Sequence, residues 1–253
     1  MKLFFRKIGE GKPLVFLHGV FGSSDNLHTV SKQIADAGYA VYTLDARNHG
    51  QSPWSSEFNY ELMADDLNDF LVQYNIQNAS IIGHSMGGKT LMQFSQKYSN
   101  YDKLIIVDIA PRFYPTHHDH IIQGLAAIDL GKLQSRKDAE NIFSTYVADL
   151  GERQFILKNL YRTENEGFAW RINVEVISEN IYLIGEEIHL ENKILAPTLL
   201  IRGSESSYVS NQDFSDFKQA YPNARLATID GANHWVHATK PAEFVSTILD
   251  FLA

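Results

Sequence analysis

The chain has 253 residues, of which 44% are hydrophobic and 21% are charged, and its formal charge is -8. This composition is typical of a globular protein, and the length fits one large domain or one domain with an insertion. The negative charge, without any basic run, argues against nucleic-acid binding. No apolar stretch is long enough to span a membrane, and the absence of cysteine excludes disulfides and thiolate catalysis. We expect a cytoplasmic protein, because the three apolar residues near the N-terminus are too few for a signal peptide.

Short apolar runs alternate with amphipathic segments along most of the chain. The run at residues 14–17 is apolar throughout, which is typical of a strand buried on both faces. We predict strands at residues 3–8, 14–17, 39–44, 79–84, 103–109, 197–203 and 224–229. We predict helices at residues 26–37, 60–74, 214–220 and 241–252, and one that opens after Ser85. The alternation predicts an α/β fold with a mostly parallel sheet and helices on both faces.

The alternation stops between residues 112 and 195, where the pattern is mostly helical. Helical spacing is found at residues 121–128, 136–150 and 152–160, and Trp170 and Ile172 suggest a short extended piece. We therefore predict a core domain made of residues 1–111 and 196–253. Residues 112–195 are predicted to form a helical cap that is inserted between two strands of the core.

A candidate nucleophile lies between a predicted strand and a predicted helix, where Gly83-His84-Ser85-Met86-Gly87 fits the pattern G-x-S-x-G. When a strand turns abruptly into a helix, the two backbones nearly touch, so positions 83 and 87 must be small. The hydroxyl of Ser85 then lies beside the helix N-terminus, where N–H groups favour a developing negative charge. The pattern alone also fits an ordinary glycine-rich turn. The position between strand and helix, with an acid and a histidine later in the chain, favours a catalytic serine.

A nucleophilic serine needs a base, and His234 is the predicted base among ten histidines. It follows the last strand, at the carboxyl edge of the sheet where ligands bind in such folds. His237 is expected to face solvent or to pack. The carboxylate that orients His234 is either Asp108, near the carboxyl end of the strand that follows the Ser85 strand, or Glu205, in the loop after the next strand. We favour Asp108.

Two backbone N–H groups are predicted to form an oxyanion hole. One belongs to Met86, the residue after the nucleophile, and the other to the loop after the strand at residues 14–17. Val20 is the favoured donor in this loop, with Phe21 as the alternative. Residues 47–49 are expected to be structural, tying one strand end to its neighbours.

A cluster of histidines in the predicted cap suggests a metal site. A zinc site needs further ligands at matching spacing, and the sequence offers no second group of them. We therefore favour a polar cap loop and expect no metal ion. The cluster consists of His117, His118, Asp119 and His120.

The segments that carry this chemistry are LHGVFGSSDNL, DARNHGQS, GHSMGGKTL, VDIAP and GANHWVH. Together they resemble the α/β-hydrolase fold family over essentially the whole chain. RNHG, the lysine after GHSMGG, and HWVH are similar to bacterial esterases of the YbfF type. The resemblance implies hydrolysis of carboxylic esters or acyl thioesters, no cofactor, and a triad of Ser85, His234 and Asp108. The commoner acid position of the fold is occupied by Ser206, and the resemblance implies that this serine helps to hold the histidine.

The leading hypothesis is a cytoplasmic carboxylesterase or acyl-thioesterase, a monomer or homodimer that acts on a small-molecule substrate. Carbon–carbon bond hydrolysis or lyase chemistry on the same triad is a second hypothesis, and it needs polar cap residues that hold a carboxylated substrate. A ligand receptor on a hydrolase scaffold is a third. Dehalogenase and epoxide-hydrolase functions are excluded, because those families have aspartate where this chain has Ser85.

Overall fold

A seven-stranded sheet forms the centre of the protein in the computed structural model, which describes residues 1–165 and 167–253. The strands in chain order are β1 (Phe5–Ile8), β2 (Lys12–Leu17), β3 (Tyr39–Leu44), β4 (Ser80–His84), β5 (Leu104–Val107), β6 (Leu160–Arg162), β7 (Phe168–Trp170), β8 (Thr198–Gly203) and β9 (Ala224–Ile229). The order across the large sheet is β1-β3-β2-β4-β5-β8-β9, and β6 pairs with β7 in a separate hairpin. In the large sheet β1 pairs with β3 in the antiparallel direction, and the β2–β3, β2–β4, β4–β5, β5–β8 and β8–β9 pairs are parallel.

Helices connect most of these strands. In chain order they are α1 (His28–Asp36), α2 (Tyr60–Gln73), α3 (Met86–Lys97), α4 (Asp119–Ala127), α5 (Arg136–Phe143), α6 (Leu150–Leu157), α7 (Val174–Ile184), α8 (Asn211–Ala220), α9 (Val236–Thr239) and α10 (Pro241–Leu252). A short 3-10 helix, Ser24–Leu27, precedes α1. Among the residues that the structure describes, none of the helices is both long and apolar enough to cross a membrane.

Apolar side chains cover both faces of the sheet, because successive residues of a strand point to opposite sides. In β2, Leu14 and Phe16 belong to the core that includes residues of α1 and α10. Val15 and Leu17 belong to the opposite core, which includes residues of α2 and α3. The predicted fold class, a mostly parallel sheet with helices on both faces, is confirmed. The parallel strands β2, β4, β5 and β8 end at one edge, which brings the loops after them together.

The segment between β5 and β8 contains α4 to α7 and the β6–β7 hairpin. The helix predicted at residues 136–150 is wrong in its extent. Helix α5 ends at Phe143, and Asp149 then caps a separate helix, α6, by accepting a hydrogen bond from the Glu152 N–H at 2.7 Å. The helix predicted at residues 152–160 therefore begins earlier and ends at Leu157. The division into a core and a cap stays a prediction.

The sequence pattern does not predict α7. Its residues include several β-branched side chains, which have lower helix propensity and favour strands. The available signal is Asn173, whose side chain accepts a hydrogen bond from the Val176 N–H at 3.4 Å and so caps the helix. The extended piece predicted near Trp170 and Ile172 is strand β7, which includes Trp170 and ends before Ile172.

We expect Gly83→Ala to destabilise the protein, because an added Cβ would lie 2.2 Å from the Gly87 carbonyl oxygen. Overpacking against a backbone atom should cost about 3 kcal/mol or more, which lowers the Tm by about 6–12 °C in a chain of this size. Thermal unfolding followed by circular dichroism measures the change. Gly131→Ala is the control, because its Cβ would meet only the Asp129 side chain at 3.3 Å. Equal Tm values for the two variants would contradict the prediction.

Candidate active site

Ser85 lies at the corner between β4 and α3, with φ of +52° and ψ of -115°. A non-glycine residue in this region costs about 1–3 kcal/mol, so its surroundings must hold it there. Its N–H donates to the Val107 carbonyl at 3.0 Å, and its carbonyl accepts from the Gly88 and Lys89 N–H groups at 2.8 and 3.1 Å. These hydrogen bonds join the corner to the neighbouring strand and to the first turn of α3. Ser85 lines an apolar cavity beside the sheet edge.

A continuous line of hydrogen bonds runs from Ser85 through His234 to Asp108. The Nε2 atom of His234 is 3.1 Å from the Ser85 hydroxyl, and its Nδ1 atom is 2.8 Å from the Asp108 carboxylate. Because an ionised carboxylate only accepts hydrogen bonds, Nδ1 carries the proton and Nε2 is free to accept from Ser85. The structure thus brings the three residues together in the arrangement that a serine nucleophile requires.

Asp108 is completely buried, at the end of β5, with φ of +52°. Three groups satisfy its carboxylate: Nδ1 of His234, the Ser206 hydroxyl, and the Gly203 N–H at 3.1 Å. Ser206 therefore contacts the acid, and does not contact the imidazole directly. The Glu205 side chain is exposed to solvent, so the structure does not bring it to His234.

Two further side chains fix the position of His234. The ring of Tyr208 stacks on the imidazole, with centroids 3.8 Å apart and planes at 17°. The Nε2 atom of His84 donates to the His234 carbonyl at 2.8 Å. Sequence patterns give no signal for Tyr208, because a ring in an irregular loop has no periodicity that reveals its partner. His237 is buried and packs beside His84, with ring centroids 4.8 Å apart.

The residues of the two predicted oxyanion donors, Val20 and Met86, line the same cavity as Ser85. Within the residues that the structure describes, neither the Val20 nor the Met86 N–H has a hydrogen-bond acceptor. Met86 is the first residue of α3, where N–H groups have no partner inside the helix. The Phe21 N–H donates instead to Nε2 of His49 at 3.2 Å, which leaves Val20 as the available donor of its loop.

The cavity beside Ser85 has a volume of about 200 Å³. Its walls combine core residues with residues of the inserted segment, such as Tyr114, Ile121, Phe155 and Ile184. Glu152 is the one carboxylate in the lining, which contains no lysine or arginine in the part of the chain that the structure describes. His118 also lines it, and burial, together with three nearby histidines, lowers the pKa of His118 to about 4, so its ring is neutral near pH 7.

The histidine cluster of the inserted segment lies at the cavity and its rim. His117 and His118 line the cavity, and Nε2 of His120 lies 3.4 Å from the Glu152 carboxylate. Among residues 1–165 and 167–253, no group of three or more histidine or acidic side chains is arranged to hold a metal ion.

A buried lysine joins α3 to both ends of the inserted segment. The Lys89 side chain is completely buried, and its ammonium donates to the carbonyls of Arg112, Gly185 and Glu186, the first two at 2.9 and 3.2 Å. The ammonium also lies 4.9 Å from the centre of the Tyr114 ring, and the face of an aromatic ring attracts a cation. Burial, together with the nearby charge of Arg112, lowers the pKa of Lys89 to about 8. Gly185 and Tyr114 line the cavity, so Lys89 supports its wall.

A family model described as the α/β hydrolase fold matches residues 12–241. The chain belongs to the α/β-hydrolase fold family. It is 38% identical to esterase YbfF of Escherichia coli (strain K12), over 96% of this chain and 94% of that protein. It is also 38% identical to the sn-1-specific diacylglycerol lipase ABHD11 of Danio rerio, over 96% of this chain and 79% of that protein. A solved marine microorganism esterase superposes with a TM-score of 0.95 and 40% identity, over 99% of both chains.

These comparisons confirm the α/β-hydrolase fold and the resemblance to YbfF-type esterases that the sequence motifs indicate. They also support the coarser functional prediction, a hydrolase of the esterase and lipase group.

We expect the wild type to gain stability relative to Lys89→Met as the pH rises above about 8. The quantity that rises is the free energy of unfolding of the wild type minus that of the variant. The pKa of Lys89 in the folded chain, about 8, lies below its ordinary value of 10.5. Between these values the unfolded chain keeps a proton that the folded chain has released, so raising the pH favours the folded state. The slope from one group is at most about 1.4 kcal/mol per pH unit.

Urea unfolding from pH 7.5 to 10 at constant ionic strength measures this slope. Lys137→Met is the matched control, because Lys137 is exposed, and its stability should follow the wild type at every pH. If the difference in free energy of unfolding between the wild type and Lys89→Met does not change with pH over this range, the prediction is wrong.

Proposed function

We propose that this protein is a serine esterase that hydrolyses uncharged carboxylic esters through an acyl-enzyme intermediate. The observation that carries the proposal is the line of hydrogen bonds from Ser85 through His234 to the buried Asp108, at the wall of an apolar cavity. The similarity to esterase YbfF and to a diacylglycerol lipase supports ester hydrolysis as the reaction.

In the proposed acylation, His234 Nε2 takes the proton of the Ser85 hydroxyl as Oγ bonds to the acyl carbon. The carbonyl oxygen becomes an oxyanion, which the Val20 and Met86 N–H groups stabilise. The bond to the leaving alkoxide then breaks, and His234 gives this group the proton. Asp108 holds the imidazole in the required tautomer throughout.

Deacylation repeats these steps with water. His234 takes a proton from the water as its oxygen bonds to the acyl carbon, and the same N–H groups stabilise the second oxyanion. The bond to Ser85 breaks, and His234 returns the proton to the Ser85 oxygen. The products are a carboxylic acid and the alcohol, with no redox change and no cofactor in the proposed reaction.

Thioesters are the second substrate class that we propose, because the same two steps release a thiol in place of an alcohol. The cavity lining offers no lysine or arginine among the described residues, so the phosphates of an acyl-CoA would have to lie outside it. The apolar walls fit the acyl chain of either class. The cytoplasmic location and the monomeric or homodimeric state stay predictions.

The charge of the cavity argues against carbon–carbon bond hydrolysis of carboxylated substrates. Glu152 would repel a second carboxylate, and the neutral His118 cannot pair with it. A ligand receptor would not need the hydrogen-bonded Ser85 and His234 beside the cavity. Both alternatives are therefore less well supported than an esterase.

We expect Ser85→Ala to fold normally and to lose at least about 10⁴-fold in kcat, because the nucleophile is removed from a group that acts as a unit. Hydrolysis of p-nitrophenyl acetate, butyrate and octanoate measures the loss. A fluorophosphonate probe should label the wild type and not Ser85→Ala. A carboxylated ester of the same length distinguishes this function from hydrolysis of carboxylated substrates. An esterase of the proposed kind hydrolyses the neutral ester faster than the carboxylated one. Labelling of another serine in Ser85→Ala would contradict the assignment.

We expect Asp108→Asn to lower kcat by about 10³–10⁴-fold, because the amide no longer stabilises the His234 imidazolium or fixes its tautomer. Ser206→Ala should lower kcat by about 10-fold, because it removes one hydrogen bond to the Asp108 carboxylate. Glu205→Gln should stay within about 2-fold of the wild type, because this side chain is exposed. All three are measured at saturating ester, with circular dichroism as the check on folding. An active Asp108→Asn beside an inactive Glu205→Gln would show that the acid is misassigned.

A further inference from the structure

The loop that carries Val20 contains a tight turn with an unfavourable backbone conformation. The Gly22 N–H donates to the Gly19 carbonyl at 3.0 Å, and between them Phe21 has φ of +60°. Turns with a positive φ at this position usually have glycine or asparagine there. A bulky side chain keeps such a conformation only when its surroundings hold it. The Phe21 side chain is buried, and both polar groups of its backbone have partners.

His49 accepts a hydrogen bond from the backbone N–H of Phe21. The Nδ1 atom of His49 lies 2.9 Å from the Arg47 carbonyl, which can only accept, so Nδ1 carries the proton and Nε2 accepts from Phe21 at 3.2 Å. Burial, with His18 nearby, lowers the pKa of His49 to about 3. The ring therefore stays neutral and keeps an acceptor directed at the turn.

Asn159, from the inserted segment, binds the carbonyl group of Phe21. Its Nδ2 atom donates to the Phe21 carbonyl at 2.7 Å and to the Ile156 carbonyl at 3.1 Å, and the side chain is buried. The Asn159 backbone is itself fixed, because its carbonyl accepts from the Arg171 N–H at 2.8 Å across the hairpin. The amide therefore reaches the turn from a hydrogen-bonded position between α6 and β6.

We propose that Asn159 is a positioning residue for the oxyanion hole: its hydrogen bond to the Phe21 carbonyl, opposite the bond from His49, holds the turn that directs the Val20 N–H towards the acyl oxygen. The proposal rests on the proposed function, because an oxyanion hole matters only when Ser85 attacks an acyl carbon. It also means that the inserted segment takes part in transition-state stabilisation, in addition to lining the cavity.

The alternative is that Asn159 only attaches the inserted segment to the core. Asn173 makes such an attachment, since its N–H and Nδ2 donate to the Asn48 carbonyl and side chain at 2.9 and 3.1 Å. Loss of attachment would change substrate binding and stability. Loss of the turn would instead weaken binding of the transition state, which lowers kcat and leaves KM nearly unchanged.

The decisive variant is Asn159→Asp, which keeps the shape of the side chain but removes the donor and places an oxygen against the Phe21 carbonyl. We expect kcat for p-nitrophenyl butyrate to fall by about 10–100-fold, part of the effect of deleting an oxyanion donor, with KM within about 3-fold. A trifluoromethyl ketone forms a reversible adduct with a catalytic serine whose oxygen occupies the oxyanion position. Its inhibition constant should rise by the same factor as kcat falls.

The control is Asn180→Asp, the same chemical change on α7, where the amide donates to the Val176 carbonyl of the same helix at 2.8 Å. Its kcat and its affinity for the ketone should match the wild type. If Asn159→Asp does not fold, Asn159→Ala replaces it, with the same expectation at the lower end of the range because alanine removes the donor without placing an oxygen against the Phe21 carbonyl.

The results separate the two proposals. A wild type that neither hydrolyses esters nor is labelled at Ser85 would overturn both. An active wild type whose Asn159 variant keeps its kcat and ketone affinity, or changes only KM, would overturn the role of Asn159 alone. Equal losses in Asn159→Asp and Asn180→Asp would also overturn it, because the effect would then belong to the inserted segment in general.

Discussion

The close approach of strand and helix backbones at Ser85 is the constraint on which the rest of the site depends. A Cβ at Gly83 would lie 2.2 Å from the Gly87 carbonyl oxygen, and one at Gly87 would lie 2.6 Å from the Leu17 carbonyl oxygen. The ends of β2 and β4 and the start of α3 therefore meet at one point. Because β2 ends there, the loop that follows it must pass beside the nucleophile. The position of the Val20 N–H near Ser85 follows from this packing.

Backbone strain and buried charge occur together in this region, and polar contacts compensate for both. Phe21, Ser85 and Asp108 all have φ between +52° and +60°. Such residues cost about 1–3 kcal/mol each and persist only where the surroundings determine them. The Asp108 carboxylate, completely buried, accepts hydrogen bonds from His234, Ser206 and Gly203, which offsets its loss of water. The site is therefore a rigid polar network set into an apolar sheet edge.

Much of the fold follows from the alternation of apolar runs and helices, because buried parallel strands leave a strong sequence signal. The meeting of Ser85, Asp108 and His234 follows from one rule, that parallel strands end at the same edge. Contacts that arise between irregular segments have no such signal. The Tyr208 ring that stacks on His234 and the Asn159 amide at the Phe21 carbonyl lie in loops. Helix α7 is missed because β-branched residues favour strands, and tertiary packing overrides that preference.

The inserted segment is attached to the core by directional polar contacts, whereas it surrounds the cavity with apolar side chains. Lys89 donates to three backbone carbonyls of the inserted segment, and Asn159 and Asn173 of that segment bind the loops of Phe21 and Asn48. Hydrogen bonds to fixed backbone atoms define position closely, while apolar contacts tolerate changes of similar volume. Substitutions in the cavity wall can therefore change which acyl chain fits without displacing these contacts. In our proposal the Asn159 contact preserves the geometry of the oxyanion hole, and the apolar lining is free to set the preference for the acyl chain.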